Sequence, residues 1–294
     1  MTVRALSSLL KKHIVLAMVF SLSASSTWAV TFRAPMDQTD WQLQSSKFKC
    51  KLSQSIPDFG KAVFERGAGE KLRFLLDTNQ GGLLGEETIV MAESPVWMPG
   101  DSNQQIGTFK TPHQSKIKVD EALANDMLVS LYKGRSPALT NARWHGTQEP
   151  IKVAISSVNF QQAYSSYMGC IAELLPVNYR QIARSAMLFP STQWRLSDAS
   201  KKRLDLIALY VQTDKAVNAI YVDGHSDNLG RRLANRDLSR KRAEEVTRYL
   251  VNAGIEEEMM TTRYHGERYP VVKNLNKDSR NRNRRVTVRL ERVN

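Results

Sequence analysis

The sequence predicts an α+β chain built from two unlike halves: a mostly antiparallel β domain with one or two helices, then a mixed sheet with helices on one face. Two observations carry this. Between residues 31 and 158, apolar side chains repeat with period two in several separate runs, the signature of half-buried strands. From residue 185 onward, short β-type runs alternate with stretches whose apolar residues recur every three or four positions, which argues for helices packed on a sheet.

The first residues read as an export signal rather than as part of the fold. Arg4, Lys11 and Lys12 precede the short apolar run Ile14-Val15-Leu16-Ala17-Met18-Val19-Phe20, and Thr27-Trp28-Ala29 offers small residues where a signal peptidase cuts. The expected arrangement is a signal peptide over 1–29 and a mature chain starting at Val30. The apolar run is too short for a spanning helix, and no cysteine near the cleavage point invites acylation.

Trp41, Leu43, Phe48, Cys50 and Leu52 alternate, as do Leu72, Phe74 and Leu76, and later Ile151, Val153 and Ile155. Gly81-Gly82 and Gly134 with Pro137 read as turns. Over 120–133, Leu123, Met127, Leu128 and Leu131 share a helical face, with Asp120 as N-cap and Gly134 beyond the end. A second helix is expected over 160–175, ended by Pro176. It carries Cys170, and Cys50 and Cys170 are the chain's two cysteines. In an oxidising compartment such a pair points to one disulfide, with two separate buried thiols as the alternative. A bridge would pin this helix to an early strand, and the domain boundary is placed after it, at 177.

In the second half, strands are expected over 185–189, 219–222, 259–264 and 286–290. Helices are expected over 197–211 with Ser197 as cap, over 234–253 ending at Gly254, and in short form over 279–283. The net charge of +13 is concentrated here: from Arg180 onward there are 24 Lys and Arg against 14 Asp and Glu. A basic domain commonly meets nucleic acid. Export argues instead for an anionic wall polymer or headgroup surface.

The chemistry concentrates in Val222-Asp223-Gly224-His225-Ser226-Asp227, then Asn235, Leu238-Ser239-Arg240-Lys241-Arg242-Ala243, Gly266-Glu267, Pro270, Asn274 and Asn283-Arg284-Arg285-Val286. Asp227 follows a strand end and Arg242 lies fifteen residues later on a helix. The acid suits an ammonium, and the planar guanidinium suits a carboxylate bidentately. Together they fit a zwitterionic head. The structural alternative is a salt bridge between the two. Asp223, His225 and Asp227 lack a fourth ligand for a metal site, and no nucleophile or zinc-hydrolase motif is present. Neither a cofactor nor catalysis is expected. The run Arg280, Arg282, Arg284, Arg285 reads as mostly a solvated face, with Arg284 the functional member.

As a set, these residues resemble the OmpA-like peptidoglycan-binding domain. That resemblance implies an OmpA-like β/α sandwich over 178–294 and a diaminopimelate stem peptide as ligand. It assigns Asp227 and Arg242 as its contacts, Asn235 and Arg284 as pocket lining, and Leu238-Ser239 as the pair orienting the arginine helix. There are departures: Pro190 follows Phe189, Thr192 stands at a rim position where relatives commonly have Asn, and Ser279 replaces a frequent Gly.

Trp41, Phe48-Lys49-Cys50, Leu52, Gln54, Ile56-Pro57-Asp58-Phe59-Gly60 and Gly134-Arg135-Ser136-Pro137-Ala138 in turn resemble the MotY family of periplasmic T-ring proteins of sodium-driven polar flagellar motors. This likeness implies that 30–177 docks on the flagellar basal body with the partner MotX. It implies that 178–294 grips peptidoglycan and that the whole helps retain stator units around the rotor. A general envelope-tethering protein unrelated to motility is the competing reading, and a wall-modifying enzyme a third.

Overall fold

The computed structural model describes residues 30–95, 97–98, 100–111, 115–141 and 151–293. The expected signal segment lies outside them. In chain order the strands and helices of the first half are β1 (Val30–Arg33), β2 (Trp41–Ser45), β3 (Lys49–Ile56), β4 (Gly60–Gly67), β5 (Arg73–Asp77), β6 (Glu87–Glu93), β7 (Gln104–Lys110), β8 (Lys116–Val119), α1 (Glu121–Tyr132), β9 (Ser136–Asn141), β10 (Ile151–Ala154) and α2 (Phe160–Ala172). They form two five-stranded sheets, β1-β10-β9-β6-β7 and β2-β3-β4-β5-β8. All pairings are antiparallel except β1 with β10. The alternating residues Trp41, Cys50, Leu52, Phe74 and Leu76 enter one core with the inward face of α1.

Local rules account for the helices. The Asp120 carboxylate accepts a hydrogen bond from the Leu123 N–H at 3.1 Å, satisfying one orphan donor of α1. Gly134 beyond its end has φ +80°. Pro137 sits inside β9 instead of in a turn, and its carbonyl accepts from Ile155 N–H. Cys50 on β3 is bonded to Cys170 on α2, with Cα atoms 6.0 Å apart, so the bridge pins helix to strand. Gln54, fully buried, reinforces that seam: its amide donates to Ser156 O at 2.9 Å and accepts from Ser156 N at 2.8 Å.

The second half comprises α3 (Tyr179–Ile182), β11 (Arg184–Leu188), α4 (Asp198–Thr213), β12 (Val217–Gly224), α5 (Arg232–Asn252), β13 (Met260–Tyr264), α6 (Lys277–Asn283) and β14 (Arg285–Arg292). The sheet order is β11-β14-β12-β13, mixed, with β12 and β13 parallel. Leu204, Ile207 and Val211 of α4 and Ala243, Val246 and Leu250 of α5 bury against Met187, Val222, Val286 and Val288. Ser197 caps α4 by accepting from Ser200 N–H.

The halves meet along the base of the β3–β4 hairpin. Leu175 N–H donates to Lys47 O, Gln181 Nε2 to Gly69 O and Asn178 Nδ2 to Glu70 Oε1. Ala68 packs into the second core, and Phe48 meets Tyr210 edge-on at 5.6 Å.

Candidate peptidoglycan-binding site

The site begins with a glycine. A Cβ on Gly224 would lie 2.2 Å from Ser239 O and 3.0 Å from the Ala243 side chain. Gly224 is therefore there to let α5 lie close on the end of β12. Ser239, fully buried, locks the same contact: its hydroxyl donates to Arg236 O and accepts from Gly266 N–H at 2.9 Å. Beyond Gly224 the chain turns through His225 and Ser226 to Asp227, so the acid sits over the arginine-bearing face of α5.

Asp227 and Arg242 do not clasp an open space, nor do they bond each other. Asp227, 5% exposed, takes Arg284 Nη1 on Oδ2 at 2.7 Å and Leu229 N–H on Oδ1 at 3.2 Å. Arg284 is held in turn by Phe189 O at 3.1 Å and by Asn281. Arg242 is fully buried. Its Nε donates to Gln193 O at 2.8 Å, Nη2 to Pro190 O at 2.9 Å and Nη1 to His225 O at 3.3 Å, and it lies 5.2 Å from the Phe189 ring centre. Burial, followed by the nearby charge of Arg284, lowers its pKa to about 10, with Asp227 acting in the opposite direction. The physical reason for the closure is donor satisfaction. A guanidinium has five N–H donors, and burying it requires acceptors, which the carbonyls of the turn at 190–193 provide.

That turn is an exposed cover. Thr192 within it has φ +61°, a left-handed conformation that disfavours a β-branched residue. Its hydroxyl donates to Ser191 O at 2.6 Å, and the exposed Thr192 side chain makes no hydrogen bond to Asp227, Arg242, Asn235 or Arg284 among the described residues. Asn235, 5% exposed, donates to Glu267 at 3.0 Å and steadies the loop after β13. Two residues of the quoted motif that were given no role in the pocket complete the frame. Asn283, fully buried, accepts from Val271 N–H and donates to Val272 O and Asn274 Oδ1. His225, 6% exposed, is held neutral by burial and by the charge of Arg285, its pKa lowered to about 4. The pattern had one hint of Asn283: it immediately precedes the arginine pair.

The arginine run is not a solvated face throughout. Arg282 is exposed and Arg280 half-buried, whereas Arg284 and Arg285 are both 9% exposed. Asp223 and Asp227, grouped in sequence, fall on different faces of the sheet end. Asp223 bonds Arg263 and His265, and Asp227 bonds Arg284.

Comparison with known proteins matches residues 32–176 to the MotY N-terminal domain and residues 188–284 to the OmpA family. Along 281 residues the chain is 30% identical to the sodium-type flagellar protein MotY of Vibrio parahaemolyticus, covering 94% of this chain and 96% of that protein. The chain belongs to the MotY family. Within this MotY-family chain the second half also has wider relatives. It is 35% identical over 107 residues to the outer-membrane lipoprotein YfiB of Pseudomonas aeruginosa, covering 35% of this chain and 61% of that one. Among solved structures it is similar to the peptidoglycan-associated lipoprotein from Burkholderia pseudomallei, at 25% identity and a TM-score of 0.35 over 36% of this chain and 89% of that one. The buried cluster at Asp227 lies in the OmpA-family part of this MotY-family chain.

Proposed function

We propose that this chain is a non-catalytic structural component of the periplasmic T ring. In this reading 30–177 docks on the basal body with MotX, and 178–294 grips peptidoglycan through a diaminopimelate stem peptide, which helps retain stator units around the rotor. The observation that carries wall gripping is the cluster itself: one acid and two guanidiniums gathered under a turn whose contribution to Arg242 is backbone carbonyls alone. Carbonyls are exchangeable for a ligand carboxylate of greater charge, which bonds a guanidinium more strongly. For a stem peptide to enter, the turn at 190–193 swings aside, the ligand carboxylate replaces Pro190 O and Gln193 O on Arg242, and the ligand ammonium meets Asp227.

The two-domain build supports a load-bearing role. A motor unit pushing on a rotor transmits reaction torque to a rigid support, and the disulfide together with the hydrogen-bonded seam at Lys47, Gly69 and Glu70 gives that force a continuous path.

Cosedimentation with isolated sacculi tests the gripping role. The full chain is expected to pellet, and Asp227→Ala and Arg242→Ala, each checked for folding, are expected to stay in solution. Identical behaviour of wild type and folded variants removes this site from wall binding. A deletion strain that swims normally but leaks periplasmic contents favours an envelope tether over the motor role. Release of muropeptides on incubation with sacculi contradicts a non-catalytic chain.

A further inference from the structure

Arg284 and Arg285 adjoin in sequence yet serve opposite faces of the C-terminal sheet. Side chains alternate along a strand. Val286, Val288 and Leu290 enter the core beneath α4 and α5, so Arg284 lies on that side with Asp227. Arg285, like Thr287 and Arg289, lies on the other. There a cleft of about 770 Å³ is lined by Arg184, Leu188, Asp223, Arg263, Arg282 and Arg285, among others.

Its charges are unbalanced. Asp223 is already engaged by Arg263 at 2.7 and 2.9 Å and by His265 at 2.9 Å. Burial works to raise its pKa, but those bonds outweigh burial and hold it below the usual carboxylate range. Arg184 and Arg282 are exposed, and their side chains make no hydrogen bond or ion pair among the described residues. Arg285 is nine-tenths buried. Its Nη2 donates to Tyr269 O at 3.3 Å, and its Nη1 has no hydrogen-bond partner among the described residues. An unmet buried guanidinium donor in the wall of this cleft is a group that an added acceptor would stabilise.

Spacing selects the kind of acceptor. Leu188 faces Arg285 across the β11–β14 pair. Arg184 lies four residues back on the same face of β11, about 13 Å along the sheet. No single phosphate or carboxylate spans that distance. An extended peptide does, in about four residues. Between the two levels the strand presents the exposed Ala186, with the half-exposed Leu188 beside Arg285, an apolar step along the line from one cationic post to the other.

We propose that this cleft is a second binding site, for an extended acidic segment of a protein partner. The segment would carry two carboxylates about four residues apart with an apolar side chain between them. It is separate from the wall site, because Arg285 and Arg284 point to different faces.

The test uses the chain from Val30 to Asn294 and a fluorescein-labelled peptide EALAE, with QALAQ as the uncharged control, read by fluorescence anisotropy at low and high salt. EALAE is expected to bind, more weakly as salt rises, and QALAQ is not. Arg184→Glu and Arg282→Glu, both at exposed positions that tolerate change, are each expected to weaken EALAE by about tenfold or more, as befits a lost charge-assisted contact. Pelleting with sacculi is expected to stay intact in both. Arg285→Gln is expected to weaken it further, provided circular dichroism shows it folded; if it unfolds, the two exposed variants decide alone. Failure of EALAE to bind, or binding indifferent to Arg184→Glu and Arg282→Glu, overturns the proposal. So does binding of phosphatidylglycerol vesicles through these same arginines when EALAE does not bind, because the occupant is then a lipid headgroup.

Discussion

Replacing Asp227 by Asn removes the carboxylate that holds Arg284 at 2.7 Å, in a pair whose side chains are only 11% and 7% exposed. The perturbation is more than a lost ion pair. Arg242 lies in the same cluster, so the variant leaves two buried guanidiniums with no anion between them. Breaking a buried pair by removing one partner costs about 3–5 kcal/mol, because a desolvated charge is left uncompensated. Asp227→Asn is therefore expected to lower stability by that amount, apart from any effect on wall binding. Arg284→Met, which removes the other cation, is expected to relieve part of the loss. The double variant should recover roughly 2–3 kcal/mol relative to the sum of the single variants, the upper range for residues in contact. Urea unfolding of the wild type, both single variants and the double variant measures this coupling. Sacculus cosedimentation of the same four proteins then separates folding from gripping, since the double variant regains stability without regaining the acid. A cost below about 1 kcal/mol for Asp227→Asn, with no measurable coupling to Arg284, refutes the reasoning that this pair is desolvated and mutually dependent.

Three further outcomes follow from the same geometry. Burial and Arg285 lower the His225 pKa to about 4, so the unfolded chain takes up this proton near pH 6.5 while the folded chain resists until about pH 4. Stability is full above pH 6.5 and falls as pH drops toward 4, by roughly 2 kcal/mol after allowance for solvent screening, and a titration of urea midpoints should show a shallower fall in His225→Gln. Gly224→Ala places a methyl 2.2 Å from Ser239 O and is expected to destabilise by about 3 kcal/mol or more, read as a drop in melting temperature. Thr192→Asn relieves a left-handed conformation and is expected to stabilise by about 1 kcal/mol; a loss of stability on calorimetry contradicts the strain assignment.

Much of the fold was legible because it rests on local rules. The N-caps Asp120 and Ser197, the period-two run through Cys50 and Leu52, and the three-four spacing on α5 each act within a few residues. Sequence reading found them within two or three positions of the observed elements. Strands β4, β6 and β7 escaped individual placement. Their outward positions mix polar and apolar residues, so alternation is weak, and their pairing is set by partners far along the chain. At the site, the residue types were legible and the pairing was not. Asp227, Arg242 and Arg284 were all singled out, yet Asp227 and Arg242 were expected to converge on one ligand, with a bond between them as the alternative, whereas Asp227 is bonded by Arg284, 57 residues away.

By itself the sequence determined the α+β class, the two-domain order, the likeness to wall-binding and MotY-type proteins, and the identities of the charged residues that gather in the second half. Those properties live in composition, periodicity and motif order, which a linear chain displays. The tertiary structure alone decided which guanidinium neutralises Asp227, that backbone carbonyls of the 190–193 turn seal Arg242, and that adjoining arginines part to opposite faces of one sheet. Such choices depend on burial, because a buried donor takes whatever acceptor the packed fold brings within about 3 Å, and distance in space is not written in distance along the chain.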